Sequence, residues 1–262
     1  MGGQTAPRCR VMRLAVLQPT SPAGNAAQAL ATLGPALLAA GAAGATALVA
    51  PETYLPGYNS DAIHSLAQPR GGAWHRALAT LARNAGCAVV TGYAERDGAT
   101  VHNAAVAFDA TGAEVAHFRK LQLYGPREAA LYVPGNAYCT FTLGATKAAL
   151  LICYDIEFDA HVAALAAVGV TTILVPTANM APFTHVIRHT VPAMAANHGL
   201  SIAYANYCDT EGDLTYVGGS LIAGPHGEVL AQAGDHPALL IVDIPQPDPT
   251  RRSTQATDLR RI

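Results

Sequence analysis

The sequence predicts an α/β fold in which two mixed β-sheets face each other and helices cover both outer faces. Short apolar runs alternate with alanine-rich segments of helical periodicity along the 262 residues. Hairpins occur beside strand–helix–strand units, which indicates mixed rather than purely parallel sheets. Hydrophobic residues make up 51% of the chain and charged residues 13%, so much apolar surface must be hidden between layers.

The first half of the chain alternates strands with helices. The predicted strands are Arg13–Gln18, Thr46–Ala50 and Cys87–Tyr93, and the predicted helices are Asn25–Leu38 and Trp74–Ala85. A hairpin follows in VHNAAVAFDATGAEVAHF, with its turn at Asp109–Gly112. Gly125–Asn136 has Pro and Gly at both ends, which is typical of an ordered surface loop with a helical turn.

The second half continues the alternation. The predicted strands are Tyr138–Thr142, Lys147–Ile152, Thr171–Pro176, Ser201–Ala205 and Ala238–Val242, and the predicted helices are Phe158–Val168 and Thr184–Asn197. GGSLIAGPHGEVLA predicts a hairpin that turns at Pro225–Gly227. No repeat or linker divides the chain, so we expect one domain over residues 1–262, with 1–10 and about 246–262 as tails or arms.

Composition excludes several classes of function. A net charge of −2 offers no electrostatic attraction to nucleic acid or to an acidic membrane. The five cysteines lack CxxC spacing, which argues against a disulfide framework and a zinc site. The N-terminal residues lack an apolar stretch long enough for a secretory signal, and no apolar run reaches membrane-spanning length. We therefore expect a soluble, cytoplasmic protein without a nucleic-acid or membrane partner.

Three ionisable residues follow apolar strands: Glu52 after TALVAP, Lys120 after AHFR, and Cys153 after LLI. Loops at strand ends are where α/β proteins place their chemistry. Glu52 could accept the thiol proton, and Lys120 could stabilise a thiolate and an oxyanion, aided by the backbone N–H of Tyr154. A cysteine after an apolar run is more often a packing residue, so this spacing leaves both interpretations open.

Longer motifs favour the nucleophile. VAPETYLPGYN, HFRKLQLYG and LLICYDIEF contain the three residues in order, and ILVPTANM and GGSLIAGPHGEVLA follow. In these segments, from about Arg13 to Val242, the chain resembles the nitrilase superfamily of carbon–nitrogen hydrolases. The resemblance implies a four-layer α-β-β-α sandwich and a Glu52–Lys120–Cys153 catalytic triad. It also implies no metal or organic cofactor, and a homodimer or larger assembly that stacks through helices.

The resemblance assigns further residues to the site. Glu128, in YGPREAALYVPG, matches a second glutamate that holds Lys120 and orients the substrate amide. Four positions match the family's substrate pocket: Tyr54, Tyr154, Asn179 and Met180. His185 and His189 are four residues apart but lack a third ligand, so they are interpreted as surface or helix-cap histidines rather than metal ligands.

The cysteine motif departs from the family pattern. Many family amidases have Cys-Tyr-Asp-x-Arg-Phe-Pro-Glu, whereas this chain has Glu157 in place of the arginine and Asp159-Ala160 in place of Pro-Glu. A carboxylate close behind the nucleophile would repel a substrate carboxylate. We therefore expect a thiol amidohydrolase for small neutral or amine-bearing carboxamides. The alternatives are a nitrilase or N-carbamoyl amidohydrolase with the same triad, and a catalytically silent binding protein of the same fold.

Overall fold

The structure is a computed structural model that describes residues 12–260, so the predicted N-terminal tail, residues 1–10, lies outside the described residues. Within this range the strands form two six-stranded sheets and one small hairpin. The strands are β1 (Arg13–Gln18), β2 (Ala47–Val49), β3 (Ala88–Asp97), β4 (Thr100–Phe108), β5 (Glu114–Arg119), β6 (Cys139–Leu143), β7 (Thr146–Leu150), β8 (Thr172–Pro176), β9 (Ser201–Ala205), β10 (Thr210–Glu211), β11 (Leu214–Thr215), β12 (Leu221–Ala223), β13 (Val229–Gln232) and β14 (Ala238–Asp243).

Helices connect the strands and cover the sheets. They are α1 (Ala26–Ala42), α2 (Ile63–Leu66), α3 (Ala73–Ala85), α4 (Gly125–Leu131), α5 (Asp159–Ala167), α6 (Val191–His198) and α7 (Gln255–Asp258). Two 3₁₀ turns, Cys153–Glu157 and Pro249–Arg251, and one π-helical turn, Val186–Thr190, complete the regular structure. Residues 246–260 therefore contain short helical turns, and residues 247–252 are exposed or half-exposed.

Both sheets are mixed, as the hairpins predicted. The first sheet has the order β14-β1-β2-β3-β4-β5, and the second has β13-β12-β9-β8-β7-β6. In each sheet three central strands are parallel, namely β1, β2 and β3 in one and β7, β8 and β9 in the other. Antiparallel strands extend both sheets on either side. This arrangement confirms the predicted α-β-β-α architecture.

The alternation of side chains along β1 shows how the layers pack. Leu14 and Val16 belong to the core between the two sheets, whereas Ala15 and Leu17 belong to the core under the first helical layer. Successive strand residues point to opposite faces, so a strand buried on both faces is apolar throughout. α1 and α3 form the helical layer over the first sheet, and α5 and α6 pack against the second.

Several elements differ from the predictions. α1 continues to Ala42 rather than ending at Leu38, and β3 continues to Asp97 because it pairs along its whole length with β4. The predicted helix Thr184–Asn197 begins instead as the π-helical turn Val186–Thr190. The β10–β11 hairpin was not predicted, because strands of two residues have no periodicity to recognise.

Three loops that carry candidate residues meet at one end of the sandwich. In the first sheet β2 is parallel to β3, and β5 runs in the same direction because two antiparallel pairings separate it from β3; β7 belongs to the second sheet. Side-chain contacts join the loops that follow β2, β5 and β7, through Lys120 with Glu52 and Gln122 with Asp155. None of the helices in residues 12–260 is both long and apolar enough to cross a membrane.

Candidate active site

A buried lysine joins two buried glutamates at this end of the sandwich. The Nζ of Lys120 donates to Oε1 of Glu52 at 2.6 Å and to Oε1 of Glu128 at 2.7 Å. All three side chains have no exposed surface. An ammonium has three donors, so one N–H of Lys120 is left for another acceptor. A buried charge needs compensation by partners of opposite sign, and here two carboxylates provide it.

Burial and charge act against each other in this group. Burial alone lowers the pKa of Lys120, but the charges of Glu52 and Glu128 outweigh it and hold that pKa well above its usual range. Burial raises the pKa of Glu52, although Lys120 opposes the shift. Lys120 therefore stays protonated, while Glu52 is a stronger base than an exposed glutamate.

The second carboxylate has three partners. Besides Lys120, Oε1 of Glu128 accepts from the hydroxyl of Tyr58 at 2.7 Å, and Oε2 accepts from the backbone N–H of Tyr124 at 2.9 Å. Both oxygens of Glu128 are thus occupied. By contrast, Oε2 of Glu52 has no hydrogen-bond partner among the described residues. Only Glu52 has an oxygen free to exchange a proton.

Asn103 decides which oxygen of Glu52 is free. Its Nδ2 donates to the same Oε1 that Lys120 binds, at 2.6 Å. Asn103 lies on β4 and is buried. The backbone carbonyl of Asn103 also accepts a hydrogen bond from the backbone N–H of Lys120 at 2.8 Å. The sequence analysis did not identify Asn103. Its one local signal is that a polar residue stands inside the apolar strand HNAAVAF.

Cys153 follows β7 and begins the 3₁₀ turn Cys153–Glu157. Its φ is +45°, in the left-handed region that non-glycine residues rarely adopt. Such strained residues occur at functional sites where the surrounding structure holds them. Burial raises the pKa of the Cys153 thiol well above its usual range, Glu52 acts in the same direction, and Lys120 opposes both. The resting thiol is therefore protonated and needs a base.

Asp155 ties the cysteine turn to the lysine loop. Its Oδ1 accepts from the backbone N–H of Gln122 at 2.7 Å, and its Oδ2 accepts from that of Ile152 at 3.1 Å. One carboxylate thus connects the residue before Cys153 with a residue two positions after Lys120. Burial raises the pKa of Asp155 to about 7. The sequence placed this acidic residue near the thiol but did not reveal its structural role.

A cavity of 230 Å³ opens at Cys153. Cys153, Ala178 and Tyr58 line it, and the hydroxyl of Tyr58 reaches Glu128, so the cavity meets the buried charges at this end. Small-molecule sites have this character, with mostly apolar walls and a few placed polar groups. The cavity can admit a small acyl group next to the thiol.

Aromatic rings form one wall of the cavity. Tyr124 lies edge-on to Tyr154, with ring centroids 5.4 Å apart, and edge-on to Phe183 at 5.8 Å. The polar lining residues are Glu157, Asn179 and His185. His185 is exposed, as its interpretation as a surface histidine requires, but it also lies at the cavity.

The structure separates the expected pocket residues into two groups. Tyr154, Asn179 and Met180 line the cavity. Tyr54 does not line it: this residue is 1% exposed and packs in the core between the first sheet and its helices, with its ring 6.0 Å from that of Tyr207. Tyr58, four residues later, lines the cavity instead. Loop residues have no regular period, so their orientation was not readable from the sequence.

The amide of Asn179 has a structural partner. Its Nδ2 donates to the backbone carbonyl of Phe183 at 3.1 Å, which holds the loop that carries the aromatic ring. Its backbone N–H donates to Oδ1 of Asn206 at 2.9 Å. Met180 pairs with Tyr216 through an isolated bridge. Asn206 and Tyr216, the residue after β11, thus hold the part of the cavity wall that Asn179 and Met180 form.

Comparison with known proteins agrees with this geometry. The family model for carbon-nitrogen hydrolase matches residues 13–251. The chain belongs to the carbon-nitrogen hydrolase family. It is therefore an enzyme of the nitrilase superfamily, as its motifs and fold indicated, and its amidase-like character follows from its relatives.

Individual relatives include amidases. A hydrolase in the pqqF 5′ region of Pseudomonas protegens is 40% identical over 199 residues, covering 74% of this chain and 70% of that protein. An (R)-stereoselective amidase from Pseudomonas sp. is 33% identical over 199 residues, covering 75% of this chain and 72% of that protein. A mutant of the amidase from Nesterenkonia sp. AN1, solved in complex with butyramide, has a TM-score of 0.86 and 35% identity, covering 92% of this chain and 94% of that one.

His185 and His189 have no further metal-ligating side chains beside them in the described part of this carbon-nitrogen hydrolase. No group of three or more His, Cys, Asp or Glu side chains within residues 12–260 is placed to hold a metal ion. His189 is exposed in the π-helical turn that follows His185. That the enzyme works without a cofactor stays a prediction.

Proposed function

We propose that this carbon-nitrogen hydrolase is a thiol amidohydrolase that converts small neutral or amine-bearing carboxamides to the acid and ammonia through a thioester on Cys153. The observation that carries the proposal is the buried Glu52–Lys120–Glu128 group beside a cavity that ends at a cysteine. Butyramide, which binds a mutant of the related Nesterenkonia amidase, is a small neutral amide of the proposed class.

The first half-reaction uses the free oxygen of Glu52. Oε2 accepts the thiol proton as the sulfur of Cys153 attacks the amide carbonyl carbon. The remaining N–H of Lys120, together with the backbone N–H of Tyr154, stabilises the oxyanion of the tetrahedral intermediate. Glu52 then gives the proton to the amide nitrogen and the C–N bond breaks. Ammonia departs, and the acyl group stays on Cys153 as a thioester.

The second half-reaction repeats the proton transfers with water. Glu52 takes a proton from water, and the resulting hydroxide attacks the thioester carbonyl through a second tetrahedral intermediate. The C–S bond breaks, the sulfur recovers the proton from Glu52, and the carboxylic acid is released. The net reaction consumes one amide and one water and yields one acid and one ammonia.

Trapping on Cys153 tests this function. We expect butyramide to release ammonia and to leave an acyl adduct on Cys153 that mass spectrometry detects after rapid acid quenching. Cys153→Ala should retain the fold and lose both signals, because a small side chain fits the strand end but supplies no nucleophile. Cys139→Ala, which changes a thiol on an edge strand, is the matched control and should keep both.

The outcomes separate the rival functions. Ammonia release by the Cys153→Ala enzyme would contradict the assigned nucleophile. Faster turnover of butyronitrile than of butyramide would favour a nitrilase, and N-carbamoyl amino acids as better substrates would favour an N-carbamoyl amidohydrolase. The absence of turnover and adducts over a broad panel of amides would favour a catalytically silent binding protein.

A further inference from the structure

A carboxylate without a partner lies in the cavity that holds the nucleophile. Glu157 ends the turn that Cys153 begins, and it is half-buried against the cavity. Within residues 12–260, the carboxylate of Glu157 interacts electrostatically with His185 and Lys120. It makes no hydrogen bond and no ion pair with a described residue. Burial raises the pKa of Glu157. Partly buried carboxylates are normally paired, so this side chain lacks the partner that would offset its desolvation.

The groups around Glu157 suit a cation. Tyr124, Tyr154 and Phe183 form a continuous aromatic wall in the same cavity, through the edge-on contacts at 5.4 and 5.8 Å. The faces of aromatic rings attract an ammonium group, and a carboxylate beside such rings gives it a counter-charge. An apolar chain that ends in an ammonium would bury its methylenes on the rings and its charge at the carboxylate.

The other cations near the site are already engaged. Lys120 is neutralised by Glu52 and Glu128. Arg127 donates to the backbone carbonyls of Tyr58 at 2.9 Å and of Ser60 at 3.3 Å, and it does not line the cavity. The described residues that line the cavity include no lysine and no arginine. Glu157 therefore sets the electrostatic character of the cavity, and His185, which also lines it, is exposed.

We propose that Glu157 is the recognition group for a protonated amine on the acyl chain of the substrate. The inference rests on the proposed amidase function and narrows it from neutral or amine-bearing amides to aliphatic amides that carry a primary ammonium a few methylene groups from the carbonyl. The ammonium binds Glu157 and the aromatic wall, while the amide reaches Cys153. The arginine found at this position in many family amidases would repel such a substrate.

Isosteric substrates test the assignment. 4-Aminobutanamide and pentanamide have the same length and differ in an ammonium against a methyl group, and succinamate carries a carboxylate at the same end. We expect kcat/KM for 4-aminobutanamide to exceed that for pentanamide by about 10- to 100-fold, the range that an ion pair at partial exposure provides. Succinamate should be the poorest of the three.

Variants assign the preference to one carboxylate. Glu157→Gln keeps the size of the side chain. It should reduce the ratio of kcat/KM for 4-aminobutanamide to kcat/KM for pentanamide to about one. Glu157→Arg should invert the order in favour of succinamate. Asp159→Asn removes a carboxylate two residues away that binds His198 outside the cavity, and it should leave the ratio unchanged. Pentanamide turnover by each variant shows that the protein is folded.

Three results would overturn the inference. If kcat/KM for pentanamide equals that for 4-aminobutanamide, or if Glu157→Gln keeps the wild-type ratio of these two values, then Glu157 does not recognise the amine. The proposed amidase function stands in either case. If none of the three amides is hydrolysed, the proposed function fails, and the substrate assignment fails with it. Turnover of pentanamide thus distinguishes the two failures.

Discussion

Lys120 and its two carboxylates form the electrostatic centre of the site, and each member constrains the others. The lysine is fully buried, so removing either glutamate would leave one N–H of its ammonium without that acceptor. The two glutamates differ in their surroundings, because both oxygens of Glu128 have partners whereas one oxygen of Glu52 has none. The different roles of two carboxylates around one ammonium thus follow from their hydrogen bonds.

Asn103→Ala should lower the rate and move the acidic limb of the pH profile. The amide of Asn103 donates to Glu52 and lowers the pKa of that carboxyl, so its loss should raise the pKa. Glu52 must be ionised to act as a base, and a raised pKa moves the acidic limb of kcat/KM to higher pH. We expect a loss of about 10- to 100-fold near neutral pH, as for a hydrogen bond to a charged group.

A buried amide elsewhere provides the control for Asn103. Gln18 is fully buried and donates to the backbone carbonyls of Gly234 and His236, with no bond to Glu52. Gln18→Ala should lower the thermal stability and leave the acidic limb in place. If both variants lose stability and neither shifts the limb, Asn103 is only a packing residue.

At the scale of elements, the cysteine turn depends on one carboxylate whose ionisation opposes folding. Burial raises the pKa of Asp155 to about 7, above the ordinary value of 3.8 for an aspartate. The folded state therefore binds its proton more tightly than the unfolded chain, and between these two values stability falls as pH rises. Above about pH 7 the full loss of stability from ionising Asp155 is present. Below the pKa of this carboxyl in the unfolded chain, that loss is absent.

Asp155→Asn should reveal this pH dependence by difference. We expect the stability of the wild-type protein, relative to the variant, to fall by about 2 to 3 kcal/mol between about pH 5 and about pH 8, at about 1.4 kcal/mol per unit of pKa. Urea unfolding at the two pH values measures it. A difference that stays constant or grows with pH would show that the carboxyl titrates below this window in the folded protein.

β3 supports the glutamate loop through a close backbone approach. A Cβ on Gly92 would lie 2.2 Å from the backbone nitrogen of Thr53 and 2.6 Å from Cα of Glu52, so this position on β3 requires glycine. Gly92→Ala should displace the loop, abolish most ammonia release and destabilise the protein by about 1 to 3 kcal/mol, the usual cost of overpacking.

Gly234→Ala is the matched control for Gly92. A Cβ at Gly234 meets nothing within 4 Å, so this variant should keep the activity and the unfolding temperature of the wild-type protein. Thermal unfolding and ammonia release are measured on both variants. Wild-type activity in Gly92→Ala would mean that the loop adapts without moving Glu52.

At the scale of the whole molecule, the second helical layer has the composition of an interface. After Asp159, the residues of α5 carry no Asp, Glu, Lys or Arg, and Val168 just beyond it is 54% exposed. α6 is similarly apolar along VPAMAAN. Exposed apolar surface of this kind is normally covered by a partner. We predict a homodimer or larger homo-oligomer in which these helices pack against a second copy.

Light scattering measures the assembly. We expect a mass at least twice that of one chain at micromolar concentration, and Ala167→Glu, which adds a charge at the exposed end of α5, should lower it. Ala39→Glu, on an exposed position of α1 in the opposite layer, should leave the mass unchanged. A single-chain mass for the unmodified protein would contradict the prediction.

The sequence by itself determined the features that local patterns encode. Period-two and helical runs located most of the strands and helices, and the fold class followed from their order together with the low charge content. Glu52, Lys120 and Cys153 were candidates because each comes near the end of an apolar strand, and the longer motifs around them favoured a catalytic triad. Glu52 and Lys120 follow strands that run in the same direction within one sheet, whereas Cys153 follows β7 of the other sheet.

Only the tertiary structure decided which loop side chains reach the cavity. Tyr54 and Tyr58 lie in the same segment and are buried in the same core, yet of the two only Tyr58 lines the cavity and contacts Glu128. The pairing of Asn103 with Glu52 joins residues 51 positions apart. Contacts of this length depend on how β4 and the loop after β2 are stacked, and no local periodicity in the chain records that arrangement.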